Sequence, residues 1–350
     1  MKNNNFIWQC LFGLAAAFGS VLGHAQIQGN YFSHKDWEIA CDNTGTCRVA
    51  GYQADNQSHS ISVLLQRAAG AQAQVSARVK IDREAYGREL KQLQLFIAGQ
   101  SFGFVKIDSK TDEGQLSIAQ TQKLIQALQG KEPILWKWNK FTWALSVDGA
   151  SAVLLRMDDF QKRIGTNSAL LRKSTASSDQ VLKPKNIPKV NINSYVKGLQ
   201  ARHLIHSATS KQIFKQIKHT TTAEDCPLVF DTNFSADDRV VIFPLNSQYA
   251  VVEVPCWRGA YNVGNGYWVM DRQLKQVKQI VTVTGSSFSE GQIFSNQRGR
   301  GIGDCNSVEE WSWTGKRFIK TYQARTEMCR GFAGGAWDIP TLIYRVQLSS

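Results

Sequence analysis

The chain has 350 residues, with 41 Lys and Arg against 28 Asp and Glu, for a formal net charge of +13. That length accommodates two packed domains, each with its own core. No stretch after the N-terminus is apolar for long enough to cross a bilayer, and no recognised nucleic-acid-reading motif is present.

Taken in chain order, the first element is an export signal over residues 1–25. Lys2 supplies the positive start, residues 6–22 are apolar and almost uncharged, and Gly23-His24-Ala25 ends in the small residue a signal peptidase needs. An uncleaved anchor is the competing reading, and an apolar stretch of roughly 17 residues is short for one. Cys10 has no lipobox before it and leaves with the signal, so the mature protein is expected in the periplasm. Six cysteines then remain: Cys41, Cys47, Cys226, Cys256, Cys305 and Cys329. An even number in an exported chain reads as three disulfides. Sequence does not choose among the connectivities, although locality favours Cys41–Cys47, Cys226–Cys256 and Cys305–Cys329.

Period-two alternation predicts strands at 37–41, 61–65, 75–79 and 141–145. The turn residues Asp42-Asn43-Thr44-Gly45, between Cys41 and Cys47, suit a hairpin that a cross-strand disulfide closes. Ser117 is a candidate N-cap for a helix carrying Ile118, Ile125 and Leu128, with Gly130 as its stop. A second short helix is expected over 157–163, ending at Gly165, with Asp158 and Asp159 favouring its first turn through the helix dipole. Residues 211–217 read as an amphipathic helix. Strands return at 240–243, 249–254, 266–271, 277–283, 311–313, 318–323 and 342–346. The expected fold is mainly β with a few short helices, as two sandwich- or barrel-like domains. One covers 26–165 and the other, disulfide-stapled, covers 210–350.

Between them, 166–209 reads as a basic, partly disordered linker. Residues 162–220 hold twelve Lys and Arg and one acidic residue, Asp179, whereas the rest of the mature chain nearly balances at 28 basic against 27 acidic. Few large apolar residues occur over 172–192, too few to offset the entropy of ordering that stretch. Lys183, Lys185 and Lys189 are candidate contacts to an anionic envelope component such as phosphorylated lipid, lipopolysaccharide or acidic peptidoglycan stems. A solvated spacer is the plainer alternative.

Several short motifs, spread over nearly the whole mature chain, resemble a family of exported bacterial proteins, the domain of unknown function 1176 family. They are Trp37 with Cys41-Asp42-Asn43-Thr44 and Cys47, the run from Met157 to Thr166, and Cys256 with Gly259-Ala260-Tyr261-Asn262. Gly301-Ile302-Gly303-Asp304-Cys305, Trp313-Thr314-Gly315-Lys316-Arg317-Phe318 and Met328-Cys329-Arg330-Gly331 complete the set. The opening strand and cysteines also resemble invasion-associated locus B proteins. The resemblance implies export and paired cysteines, and no catalytic residues. Its expected middle linker is Pro-rich, whereas this one is Lys-rich.

No Gly-x-Ser-x-Gly elbow exists for a catalytic serine. His203 and His206 sit among cations that oppose a divalent metal, no Cys-x-x-Cys occurs, and neither a metal nor a cofactor is expected. The acidic doublets Asp158-Asp159, Asp237-Asp238 and Glu309-Glu310 do not by themselves form a glycosidase pair, because adjacent strand residues point to opposite faces. Trp136 with Trp138, and Trp311 with Trp313, are either sugar-stacking platforms or core. The most suggestive motif is Arg298-Gly299-Arg300-Gly301-Ile302-Gly303-Asp304-Cys305. Its glycines let N–H groups converge, and Arg298, Arg300 and Arg330 would supply cations for an anion if Cys305 pairs with Cys329. A glycine-rich turn leading into a disulfide is the competing reading. The expectation is therefore a non-enzymatic periplasmic binding or scaffolding protein for an anionic envelope component or an envelope protein. The alternatives are an envelope glycan or peptidoglycan hydrolase and a periplasmic inhibitor or assembly factor.

Overall fold

A computed structural model of the chain describes residues 27–57, 59–82, 89–192, 201–204, 207–231 and 239–348. The export signal expected over 1–25 lies outside these residues.

β1 (Asn30–His34), β2 (Trp37–Cys41), β3 (Cys47–Tyr52), β4 (Ile61–Arg67) and β5 (Val75–Ile81) form an antiparallel meander. A second antiparallel sheet begins with β6 (Gln92–Ile97) and β7 (Gln100–Lys106), before β8 (Glu113–Gln115) returns to the edge of the first, beside β5. α1 (Ile118–Ala127) follows. β9 (Ile134–Trp138) and β10 (Phe141–Leu145) complete the second sheet in the order β10-β9-β6-β7, and α2 (Ala150–Phe160) ends the N-terminal half. One face of each sheet contributes to a shared core: Trp37, Ile39, Val63 and Val79 from the first, Leu93, Leu95, Trp136 and Trp143 from the second. Leu124 of α1 and Leu154 and Met157 of α2 join it.

The C-terminal half contains β11 (Lys189–Ile192), β12 (Arg202–Leu204), α3 (Ala208–Lys218) and α4 (Pro227–Phe230). β13 (Val240–Pro244), β14 (Tyr249–Arg258), β15 (Val263–Asp271) and β16 (Val277–Gly285) follow, and with β12 they make a five-stranded sheet. β17 (Ser287–Ser289), β18 (Gln292–Arg298), β19 (Asn306–Trp313), β20 (Phe318–Thr326) and β21 (Pro340–Ile343) make another. β22 (Arg345–Leu348) pairs in parallel with β11, which joins the end of the chain to its middle. Val251, Tyr267 and Val269 pack on Ile293, Trp311 and Trp313 between the two larger sheets. The other face of the β12–β16 sheet is capped by Ile213 and Ile217 of α3 and Val229 of α4. Among the described residues the architecture is mainly β with four helices, which matches the expected class of mainly β with a few helices, and no sheet closes into a barrel. The disulfides are the three that locality favours, Cys41–Cys47, Cys226–Cys256 and Cys305–Cys329.

The first sheet is buried on both faces. Alternation along β2, β3 and β4 turns Ala40, Ala50, Tyr52 and Leu64 away from the first core, and Met328, Phe332, Ala336 and Ile339 of the C-terminal half cover them. Glu38 lies in this seam, fully buried. It accepts from Tyr31 Oη (2.7 Å), Tyr52 Oη (2.6 Å), Thr326 Oγ1 (2.6 Å) and the Glu327 N–H (3.2 Å). Burial raises the pKa of its carboxyl, and the four donors pull it back only in part. Nearby, Trp337 Nε1 donates to Ser62 Oγ (2.7 Å), and Asn43 makes two bonds with the Ile343 backbone.

Two boundaries differ from the sequence expectation. α2 begins seven residues earlier than 157. Ala150, Val153, Leu154 and Met157 carry its buried stripe at i, i+3, i+4 and i+7, and a left-handed Gly149 starts it. Asp158 and Asp159 consequently lie in the last turn rather than the first. The strand expected over 342–346 divides at Tyr344 into β21 and β22. Within the stretch read as a linker, Val181, Val190 and Ile192 are buried. The Leu182 carbonyl accepts from Gly70 N–H (2.8 Å), and the Lys185 N–H reaches Thr44 O (3.0 Å). A few buried apolar residues, backbone bonds to the turns at Thr44 and Gly70, and the pairing of β11 with β22 hold parts of a segment whose composition alone argues against a core.

Candidate functional site

The glycine loop is built by the disulfide it adjoins. A Cβ on Gly299 would lie 2.7 Å from the Cys305 sulfur, so only glycine lets the chain pass that bridge. Its N–H donates to the Cys305 carbonyl (2.8 Å), and the Gly303 N–H donates to the Arg300 carbonyl (2.9 Å). Those donors close the turn and do not converge on an anion. Arg300 forks onto Asp304, through Nε (2.7 Å) and a second, shorter contact, and also reaches the Cys329 carbonyl (3.1 Å). Burial works against the Asp304 charge, yet Arg300 and the Gly331 N–H outweigh it and hold the carboxyl low. Arg330 leaves the loop and pairs with Asp36 (2.7 Å) and Asp55 (3.1 Å), binding the C-terminal half to the first sheet. Arg298 lines a depression of about 450 Å³ shared with Arg325, Glu327 and Cys329. Of the three arginines predicted from sequence, Arg298 and Arg300 therefore stay beside the Cys305–Cys329 bridge, while Arg330 turns to the first sheet. Asp304, Cys305 and Cys329 group closely enough to suggest a metal, but the two sulfurs are bonded to each other and the carboxylate to Arg300.

The acidic doublets diverge as strand and helix geometry requires. Asp158 is buried and accepts from the Leu170 (2.7 Å) and Leu171 (3.1 Å) N–H groups, while Asp159 faces solvent and pairs with Arg156. Glu309 holds Lys320 and Gln323. Glu310 titrates high because it is partly buried and sees the charge of Asp338. Asp237 and Asp238, like His206, lie outside the described residues. The tryptophans are core: Trp136, Trp143, Trp311 and Trp313 are buried, and Trp138 stacks on Phe141 at 5.9 Å.

The basic segment keeps its charge outward. Lys183 and Lys189 are exposed, and Lys185 is half-buried. On α3, Ser207 caps the N-terminus through a capping box with Ser210, and Ser210, Ile213 and Ile217 face inward. Lys211, Lys215 and Lys218 occupy i, i+4 and i+7 on the opposite face, all exposed. The last two also complement the helix C-terminus, and Lys218 lies 5.6 Å over the Phe230 ring. Every ion pair among the described residues takes its cation from outside 162–220: Lys35, Arg48, Arg67, Arg78, Lys80, Arg156, Arg300, Lys320, Arg325 or Arg330. The lysine stripe on α3 was visible in the spacing of the sequence. Its outward placement, with no ion pair among the described residues, was not.

Among solved structures, the tail fiber of Staphylococcus aureus phage P68 is similar over 89% of this chain and 71% of its own, at 8% identity and a TM-score of 0.16, too slight a likeness to inform the fold. An uncharacterised Escherichia coli (strain K12) protein, YpfG, is 23% identical over 344 residues, covering 88% of this chain and 90% of that protein. The family model described as "Protein of unknown function (DUF1176)" matches residues 31–344, which is nearly all of the chain described above, and the chain belongs to that family.

Proposed function

We propose that the chain is a non-enzymatic periplasmic binding or scaffolding protein that holds an anionic component of the cell envelope on its exposed lysines. The observation that carries this reading is the uncompensated charge of α3: Lys211, Lys215 and Lys218 share one solvent face, and none enters an ion pair among the described residues. Charges on a helix face that enter no ion pair attract a polyanion without first breaking a salt bridge. Three disulfides and the secretory pattern of the first 25 residues support export to an oxidising compartment. Lys183 and Lys189 would extend the attraction.

The test is co-sedimentation of residues 26–350 with anionic lipid vesicles and, separately, with purified sacculi, across a salt series. Each lysine near an anionic surface contributes about 1 kcal/mol. Replacing Lys211, Lys215 and Lys218 with Gln is expected to weaken pelleting roughly a hundredfold, and salt to weaken the native protein progressively. Whichever arm pellets identifies the source of the anion. A native protein that stays in the supernatant of both arms at low salt would overturn the reading, as would a triple variant that pellets like the native chain.

A further inference from the structure

A groove of about 830 Å³ runs between α1 and the 167–179 loop. Its helical wall presents Gln122 and Gln126, at i and i+4, two amides about 6 Å apart along the axis; Gln129, just past the helix, donates its amide to the Ile125 carbonyl (3.2 Å). A second depression, of about 500 Å³, lies across the helix from it and shares Gln122. Phe104, 58% exposed on the edge strand β7, lines that depression.

The opposite wall is already in place. Asp158 fixes Leu170 and Leu171 by their N–H groups, Asn167 N–H donates to the Ala176 carbonyl (3.0 Å), and Ser174 N–H donates to the Thr166 carbonyl (3.2 Å). A ligand therefore meets a formed surface and need not order the loop. Charge is nearly balanced along this wall: Lys173 and Asp179 are both on the loop, and Arg67 on the floor is turned to Asp158 at 3.7 Å. Lys123 adds a single cation at the Phe104 depression, and one charge without a second beside it gives little selection for an ion. Amides donate and accept in one plane, which suits vicinal hydroxyls and acetamido groups. The electron-rich face of an exposed phenyl ring attracts the polarised C–H groups of a sugar.

We infer that this surface binds an uncharged oligosaccharide rich in hydroxyl and acetamido groups. One sugar stacks on Phe104, and its neighbours lie along Gln122 and Gln126. The site is separate from the lysine face and makes no use of it.

The probe is a β-1,4-linked N-acetylglucosamine oligomer titrated into the intact, disulfide-bonded chain by calorimetry, at low and at high salt. Phe104→Ala, and Gln122→Ala combined with Gln126→Ala, are each expected to weaken binding about fivefold to tenfold. All three side chains are exposed, so both variants keep the native melting temperature. Salt, and the triple lysine substitution of α3, leave the groove's affinity unchanged. No binding at millimolar oligomer would overturn the inference, as would native affinity in both groove variants or an affinity that falls with salt. None of those results bears on the lysine face.

Discussion

Replacing Glu38 tests whether the seam between the halves is held by a buried carboxylate. In Glu38→Leu, the buried Tyr52 Oη and Thr326 Oγ1 lose the oxygen they share at 2.6 Å each, and Tyr31 Oη, on a half-buried residue, loses its own acceptor at 2.7 Å. The Glu327 N–H keeps Tyr31 Oη, at 3.1 Å. An orphaned buried donor costs about 1–3 kcal/mol, so the two buried hydroxyls together predict a loss of about 2–6 kcal/mol. The lower end applies if they bond to one another. Guanidinium unfolding with the disulfides intact, followed by tryptophan fluorescence, measures it. Glu38→Gln keeps an acceptor and is expected to stay within about 1 kcal/mol of the native chain near its ordinary carboxyl pKa. The pH dependence then separates charge from shape. Burial raises the folded-state pKa of Glu38 above the ordinary 4.5, so its favourable contribution is fully present below 4.5 and is lost as pH rises through the folded value. Glu38→Gln lacks that loss, and its stability relative to the native chain is expected to improve as pH climbs above 4.5. A Leu variant that loses less than about 1 kcal/mol would refute the seam argument. A Gln variant that falls behind the native chain as pH rises would refute the charge argument.

Arg330→Ala is expected to destabilise the chain by about 3 kcal/mol, because it leaves Asp36 partly buried and unpaired. The same variant should sediment with anionic vesicles as the native chain does, and a loss of sedimentation without a loss of stability would restore Arg330 to a binding role. Gly149 has φ +98° and an added Cβ would lie 2.1 Å from the His34 carbonyl oxygen, whereas Gly165, at φ +74°, has open space. Gly149→Ala is therefore expected to lower the melting temperature well beyond Gly165→Ala, whose strain alone costs about 1–2 kcal/mol. Equal effects on the two melting curves would show that the contact at Gly149 relaxes.

Much of the fold could be read from local chemistry. Ser117 and Gly130 bracket α1 because a cap and a stop act within one turn, and the cysteine pairs followed locality because each bridge joins neighbouring segments. What could not be read was long-range. Trp37-Glu38-Ile39-Ala40-Cys41 alternates like a half-buried strand with Glu38 toward water, and nothing nearby announces that residues 326–339 cover that face. Met328, Phe332, Ala336 and Ile339 lie in a glycine-containing stretch without strand periodicity, so their shared burial leaves no local pattern. The partners of two of the arginines were hidden for a related reason. Arg300 and Arg330 have the composition of an anion site, but their carboxylate partners lie four residues away in one case and some 290 in the other. The groove beside α1 went unseen because glutamine carries no motif, and Ile118, expected to help define the helix's apolar face, is instead 76% exposed at its lip.

The parallel pairing of β11 with β22, and the covering of the first sheet by residues 326–339, impose an order on assembly. As the chain emerges N-terminus first, β1–β5 can pair and gather the first core while Ala40, Ala50, Tyr52 and Leu64 still face water. Those residues, and Glu38 among them, stay uncovered until residues 326–339 arrive. A chain truncated before residue 326 would keep the strands of the first sheet yet leave that face open.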